Sequence, residues 1–261
     1  MQDRADDSNG ILTVVAPGAP GPFVLVCEHA SNRFPVEYGT LGLTEEARSA
    51  HIAWDPGAFG LARALSRRLD APLVAADVSR LIYDLNRPPH APGAMPAQSE
   101  VYAIPGNADL DAAERLRRTE AIYIPFHERV RRELARRTAL ATRPALRPVL
   151  VTVHSFTPVF HGEPRSVEFG VIHDADPRLA QAVVDVAREA TTLITALNEP
   201  YSAADGVTHT LRLQATPCGL LNVMLEIRND LIATPDAQER MAELLAPVLT
   251  AALTRTCDGA E

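Results

Sequence analysis

The chain has 261 residues, 46% of them hydrophobic and 22% charged, with a net charge of -8; it can bury a large α/β core but is too acidic overall to grip nucleic acid by its phosphates. All 25 basic residues are arginine, which excludes a Walker phosphate loop, a Schiff-base lysine and a Ser-Lys nucleophile pair together. No apolar run is long enough to span a bilayer, and three scattered cysteines, Cys27, Cys218 and Cys257, predict a reducing cytoplasm rather than a disulfide framework.

The acidic, polar residues 1–10 lack the pattern of a signal peptide and are expected to form a flexible tail, with 11–261 as a single α/β domain. Ile11 to Val15 predicts a short edge strand. Phe23 to Cys27, an uninterrupted apolar run after Pro20, Gly21 and Pro22, predicts a strand buried on both faces, as in a parallel sheet. Thr44 is placed to cap a short helix before residue 50, and Asp55 followed by Pro56 reads as the cap and first position of a helix over about Gly57 to Leu69. Leu73 to Val78 is the next strand, so strand, helix and strand follow one another as in a right-handed crossover.

The Pro-rich stretch from Pro88 to Pro105 is too long for a simple connector, and loops of that length commonly cover a site or move. Ala112 to Arg137 predicts one long helix, bent near Pro125; its Arg-rich part from Arg129 suits a solvated face. Strands follow at Pro148 to His154, Phe169 to His173 and Asn222 to Ile227, with helices over about Pro177 to Ala190 and Pro235 to Thr254.

Chemistry-bearing residues gather at strand ends, where ligands bind in open α/β sheets. His29 follows one apolar strand, His154 ends another, and Asp55 opens the helix between them. Two imidazoles and one carboxylate are a common catalytic zinc set, with a fourth position left for water. Glu28 is an alternative carboxylate ligand, and His51 a further candidate. Each has a plainer reading as a hydrogen-bonded histidine or a helix cap, and His90, His127, His161, His173 and His209 are read as structural.

Glu226 sits inside the apolar Val223 to Ile227 run, so it must be paired, protonated or functional. As a general base it would take a proton from water and pass it to a leaving amine. Arg80, Asn86 and Arg87 form an anion-binding set or, more plainly, fasten their own loop.

Six segments in order carry a resemblance: Cys27 to Pro35 (CEHASNRFP), Asp55 to Ala58 (DPGA), Ser79 to Pro88 (SRLIYDLNRP), Val153 to Phe156 (VHSF), Asn198 to Tyr201 (NEPY) and Glu226 to Leu231 (EIRNDL). With them the chain resembles the N-formylglutamate amidohydrolase family, its shorter branch in particular. More distantly it is similar to zinc carboxypeptidases and to the aspartoacylase and succinylglutamate desuccinylase group.

The resemblance implies a three-layer α/β/α sandwich around a mixed, mostly parallel sheet, of the phosphorylase/hydrolase-like and zinc-carboxypeptidase-like kind. It implies His29 and His154 as ligands of Zn2+ or another divalent metal, Glu226 as general base and Arg80 as the group polarising the scissile carbonyl. Asn86 and Arg87 would clamp a substrate carboxylate, with Arg228 and Tyr201 from the last two segments also on the substrate side. The wider group has its acidic ligand three residues after the first histidine, where this chain has Asn32; residues 33 to 54 then read as an insertion and the carboxylate moves to Asp55. The expected substrate is a small acidic N-acyl amino acid, most simply N-formyl-L-glutamate. A non-catalytic binder of small acidic ligands on the same fold is the rival.

Overall fold

The computed structural model describes residues 4–6, 10–141 and 147–258. Its centre is one sheet whose strands are β1 (Arg4–Asp6), β2 (Leu12–Val15), β3 (Phe23–Cys27), β4 (Leu73–Ala76), β5 (Val149–Phe156), β6 (Phe169–Ile172), β7 (Thr195–Leu197) and β8 (Asn222–Arg228). In space they run β1-β2-β4-β3-β5-β8-β6-β7. The four central strands, β4, β3, β5 and β8, are mutually parallel, β2 and β6 run against their inner neighbours, and β7 is parallel to β6. The sheet is therefore mixed with a parallel middle, and every residue of β3, β4 and β5 is buried, which is why β3 and β4 read as unbroken apolar runs.

Alternation along the strands feeds two cores. Phe23, Leu25, Val149, Val151 and Val153 face one side, packed by the helices α2 (Ala58–Leu69), α5 (Arg178–Ala190) and α7 (Pro235–Asp258). Val24, Val26, Leu150 and Met224 face the other, where α4 (Ile124–Leu140) and α6 (His209–Gln214) lie. Helices thus cover both faces, the α/β/α sandwich expected. The remaining α-helices among the described residues are α1 (Glu45–Ser49), capped by Thr44 as the sequence indicates, and α3 (Ala112–Arg118).

Three expectations are revised. The strand at Leu12–Val15 is not an edge, because β1 pairs outside it; of the expected tail, residues 1–3 and 7–9 lie outside the described residues. The long helix is α3 and α4 joined by a π-type turn at Thr119–Tyr123, where Ile124 N–H bonds back to the Thr119 carbonyl. Pro125 has no N–H for the regular helical bond, so the ladder widens just before it. Asp55 does not cap α2: the helix begins at Ala58, and its flanking residue is Gly57 at φ 82°. A β-carbon at Gly57 would run into the Ile232 carbonyl and side chain, so this sharp entry, which frees Asp55 for other partners, needs glycine.

Candidate metal centre and cavity

The parallel strands β3, β5 and β8 end at the same edge, and their termini supply the candidate site. In the ladder Glu226 stands beside His154, and by strand alternation both share the face of Leu150 and Met224. His29 lies just beyond β3, its carbonyl accepting from Asp55 N–H at 2.9 Å, which ties the first histidine to the turn carrying the aspartate.

Both imidazoles turn Nδ1 toward one carboxylate oxygen. Oδ2 of Asp55 lies 2.9 Å from Nδ1 of His154 and 3.3 Å from Nδ1 of His29. The rings meet edge to face with centroids 4.9 Å apart. One potential ligand atom from each of His29, Asp55 and His154 falls within 4.8 Å of the others, and all three residues are buried. Two imidazole nitrogens and one carboxylate oxygen suit a divalent transition metal such as zinc.

The far nitrogens also face carboxylates. His29 Nε2 lies 2.8 Å from Oδ1 of Asp84, and His154 Nε2 lies 3.2 Å from Oε2 of Glu28. The bonded Asp84 carboxylate fixes the His29 ring and makes its inner nitrogen a better donor to a metal, while Glu28 places a negative charge behind His154. Glu28, entertained as a ligand, therefore stands on the far side of His154 from Asp55. Its contact with the ring is too poorly aligned for a hydrogen bond, and neither of its oxygens has a hydrogen-bond partner among the described residues. His51 is not part of the cluster; its Nε2 meets Oε1 of Glu100 at 2.8 Å.

Charges here are strongly coupled. Burial alone would raise the pKa of Asp55 and Asp84, yet both lie far below the usual carboxylate range, Asp55 because of His29 and His154, Asp84 because of Arg80 and His29. Burial and Arg80 work against protonating His29, but Asp84 and Asp55 outweigh them and its pKa is raised; for His154, Glu28 and Asp55 outweigh burial in the same way. This is the pattern of carboxylates gathered around a position made for positive charge. Glu226 goes the other way: burial, reinforced by Asp55, pushes its carboxyl up to about 7, and its Oε2 is buried without a hydrogen-bond partner among the described residues.

The cluster opens into a cavity of about 560 Å³ lined by His29, Asp55, His154 and Glu226, and also by Arg80, Asn86, Arg87, Tyr201 and Arg165. Arg80 bridges Oδ1 of Asp55 (3.3 Å) and Oδ2 of Asp84 (2.8 Å). The Asn86 side chain is committed to backbone, donating to the Val207 carbonyl and accepting from Thr210 N–H, so its amide fastens the 207–210 wall. Arg87 donates to the Asp205 carbonyl at 2.8 Å. Arg228, the last residue of β8, is not among the residues lining the cavity; its guanidinium meets Asp230 (2.9 Å) and Glu168 (3.4 Å). The 88–105 loop reaches over the site, with Ser99 and Glu100 on the cavity wall.

The sequence offers Glu28 only as an alternative ligand, and gives no role there to Asp84 or to Arg165. Asp84 was legible in principle, since it lies four residues after Arg80 within one motif. Arg165 carries no such signal.

Among the described residues, no helix is long and apolar enough to cross a membrane. A model of the N-formylglutamate amidohydrolase family matches residues 21–233. The crystal structure of gene product Atu2144 from Agrobacterium tumefaciens is 52% identical and superposes with a TM-score of 0.90, covering 94% of this chain and 95% of that one. The N-formylglutamate amidohydrolase from Ralstonia eutropha JMP134 is 18% identical, with a TM-score of 0.67 over 96% and 99% of the two chains, a likeness of fold. No curated protein matches the chain.

Proposed function

The chain belongs to the N-formylglutamate amidohydrolase family, and on that premise we propose that it hydrolyses the amide bond of a small acidic N-acyl amino acid, most simply N-formyl-L-glutamate to formate and L-glutamate. The observation that carries this reading is the convergence of His29, Asp55 and His154 on the wall of a cavity shared with Glu226, whose buried Oε2 has no hydrogen-bond partner among the described residues. Zinc held by those three residues would supply Lewis acidity, polarising the acyl carbonyl and acidifying water.

The remaining roles fall to the chain's own groups. Glu226 takes the proton of the attacking water at its carboxylate and returns it to the departing amine nitrogen. A carboxyl raised to about 7 suits both halves of that exchange near neutral pH. Arg80, held permanently charged by Asp84 and Asp55, faces the cavity and favours negative charge developing on the carbonyl oxygen. Arg87 keeps N–H groups beyond its single backbone bond and meets a substrate carboxylate, while Asn86 shapes the wall beside it.

The test is formate release from N-formyl-L-glutamate by zinc-loaded protein, before and after chelation and after zinc is restored. Activity that disappears and returns is expected. A protein that takes up no metal, or releases no formate when loaded, overturns the reading in favour of a non-catalytic binder.

A further inference from the structure

A ligand with two carboxylates needs two cationic anchors, and the cavity's arginines are not equivalent. Arg80 contacts both Asp55 and Asp84, so its charge is largely offset within the protein. Arg165 is different: it lines the same cavity yet has no carboxylate partner among the described residues. Its guanidinium carbon lies 4.4 Å from the ring centroid of Phe160, 5.1 Å from that of Tyr201 and 5.5 Å from that of Phe156. Three rings lie within cation–π distance of the guanidinium, a setting that favours its charge, and from the cavity wall its N–H fork can meet a carboxylate. Thr157 O, at 3.5 Å, is the side chain's one long bond to backbone.

The mount is firm. Arg165 N–H donates to the Pro158 carbonyl at 2.8 Å across the hairpin of Val159–Phe160 and Glu163–Pro164, and its own carbonyl accepts from Nη1 of Arg228 at 3.2 Å. Arg228, outside the cavity, thus braces the residue inside it.

Resting on the hydrolase reading above, we infer that Arg165 is the specificity-determining residue of the site: it receives the second, side-chain carboxylate of the substrate and restricts the enzyme to N-acyl derivatives of acidic amino acids. The aromatic rings around it accommodate the methylene stem that carries this carboxylate. Neutral analogues of the same length would leave the half-buried guanidinium among the rings without a counter-ion, which is what sets the discrimination.

The experiment separates this from the parent reading. Zinc-loaded protein carrying Glu226→Gln, which retains the ligand set but lacks the base, is titrated calorimetrically with N-formyl-L-glutamate and with its neutral isostere N-formyl-L-glutamine, with and without Arg165→Gln. The acidic ligand is expected to bind roughly 10- to 100-fold more tightly than the amide, the range for a charge-assisted bond. That ratio is expected to collapse toward one in the double variant and to recover in part with Arg165→Lys. Equal weakening of both ligands, the mark of a merely structural residue, overturns the assignment, as does a ratio that survives the substitution. Failure of the acidic ligand to bind overturns the substrate class as well. An Arg165-dependent ratio in a protein whose unaltered form releases no formate upholds Arg165 and removes hydrolysis alone.

Discussion

Oδ2 of Asp55 lies 2.9 Å from Nδ1 of His154, and the opposite nitrogen of that ring faces Glu28 at 3.2 Å. The imidazole is held between two carboxylates of unlike standing, one beside His29 and one behind the ring. Removing them should therefore have unlike effects. Asp55→Ala is expected to abolish stoichiometric zinc binding, whereas Glu28→Gln is expected to weaken it roughly 10- to 100-fold with the same stoichiometry. Zinc content after dialysis against a competing chelator distinguishes the two, and an Asp55→Ala protein that keeps its full zinc would exclude Asp55 as a ligand.

Glu226 has the opposite character, a carboxyl kept out of the network. Glu226→Gln is expected to lower kcat by at least about 100-fold, the low end of what a positioned acid-base group contributes. Its zinc content should stay at the unaltered level. Formate release comparable to the unaltered enzyme would mean that some other group moves the proton.

Behind the site, His127 gives stability a pH dependence of its own. Its Nε2 donates to the Leu85 carbonyl at 2.9 Å and its Nδ1 accepts from the Gln214 amide at 3.2 Å, so the folded protein holds the neutral ring, and burial pushes the pKa down to about 4. In the unfolded chain the ordinary value is about 6.5. Stability from this residue is complete above pH ~6.5 and is lost as the pH falls toward about 4, because there the unfolded chain binds a proton that the native one refuses; the full loss is on the order of 3 kcal/mol. Urea midpoints of the parent and of His127→Gln across that window are the check. The variant should show the shallower slope, and parallel slopes would contradict the account.

Gly57→Ala tests the entry to α2. With φ at 82° and the Ile232 carbonyl where a β-carbon would go, the substitution combines backbone strain with overpacking and is expected to cost about 2–4 kcal/mol. Because the turn also sets Asp55, zinc affinity should fall along with the melting temperature. A stable protein with unaltered zinc affinity would show that the turn adapts.

Much of this protein is written locally in its sequence. The apolar runs at Phe23 to Cys27 and Val149 to Val153, and the Thr44 cap, announce themselves because burial on both faces and helix capping depend on residues adjacent along the chain. A histidine at a strand end and a glutamate embedded in an apolar strand are equally visible.

Convergence is another matter, since it depends on pairing register and on the path of each loop between strands far apart in sequence. Only the folded chain sets Glu226 beside His154, turns Asp55 from an apparent helix cap toward two imidazoles, and stations Glu28 and Asp84 behind the rings. The same tertiary geometry carries Arg228 out of the cavity and brings Arg165 in. The residue types foretell which chemistry is available; the angles at which strands end and turns leave them decide which atoms share it.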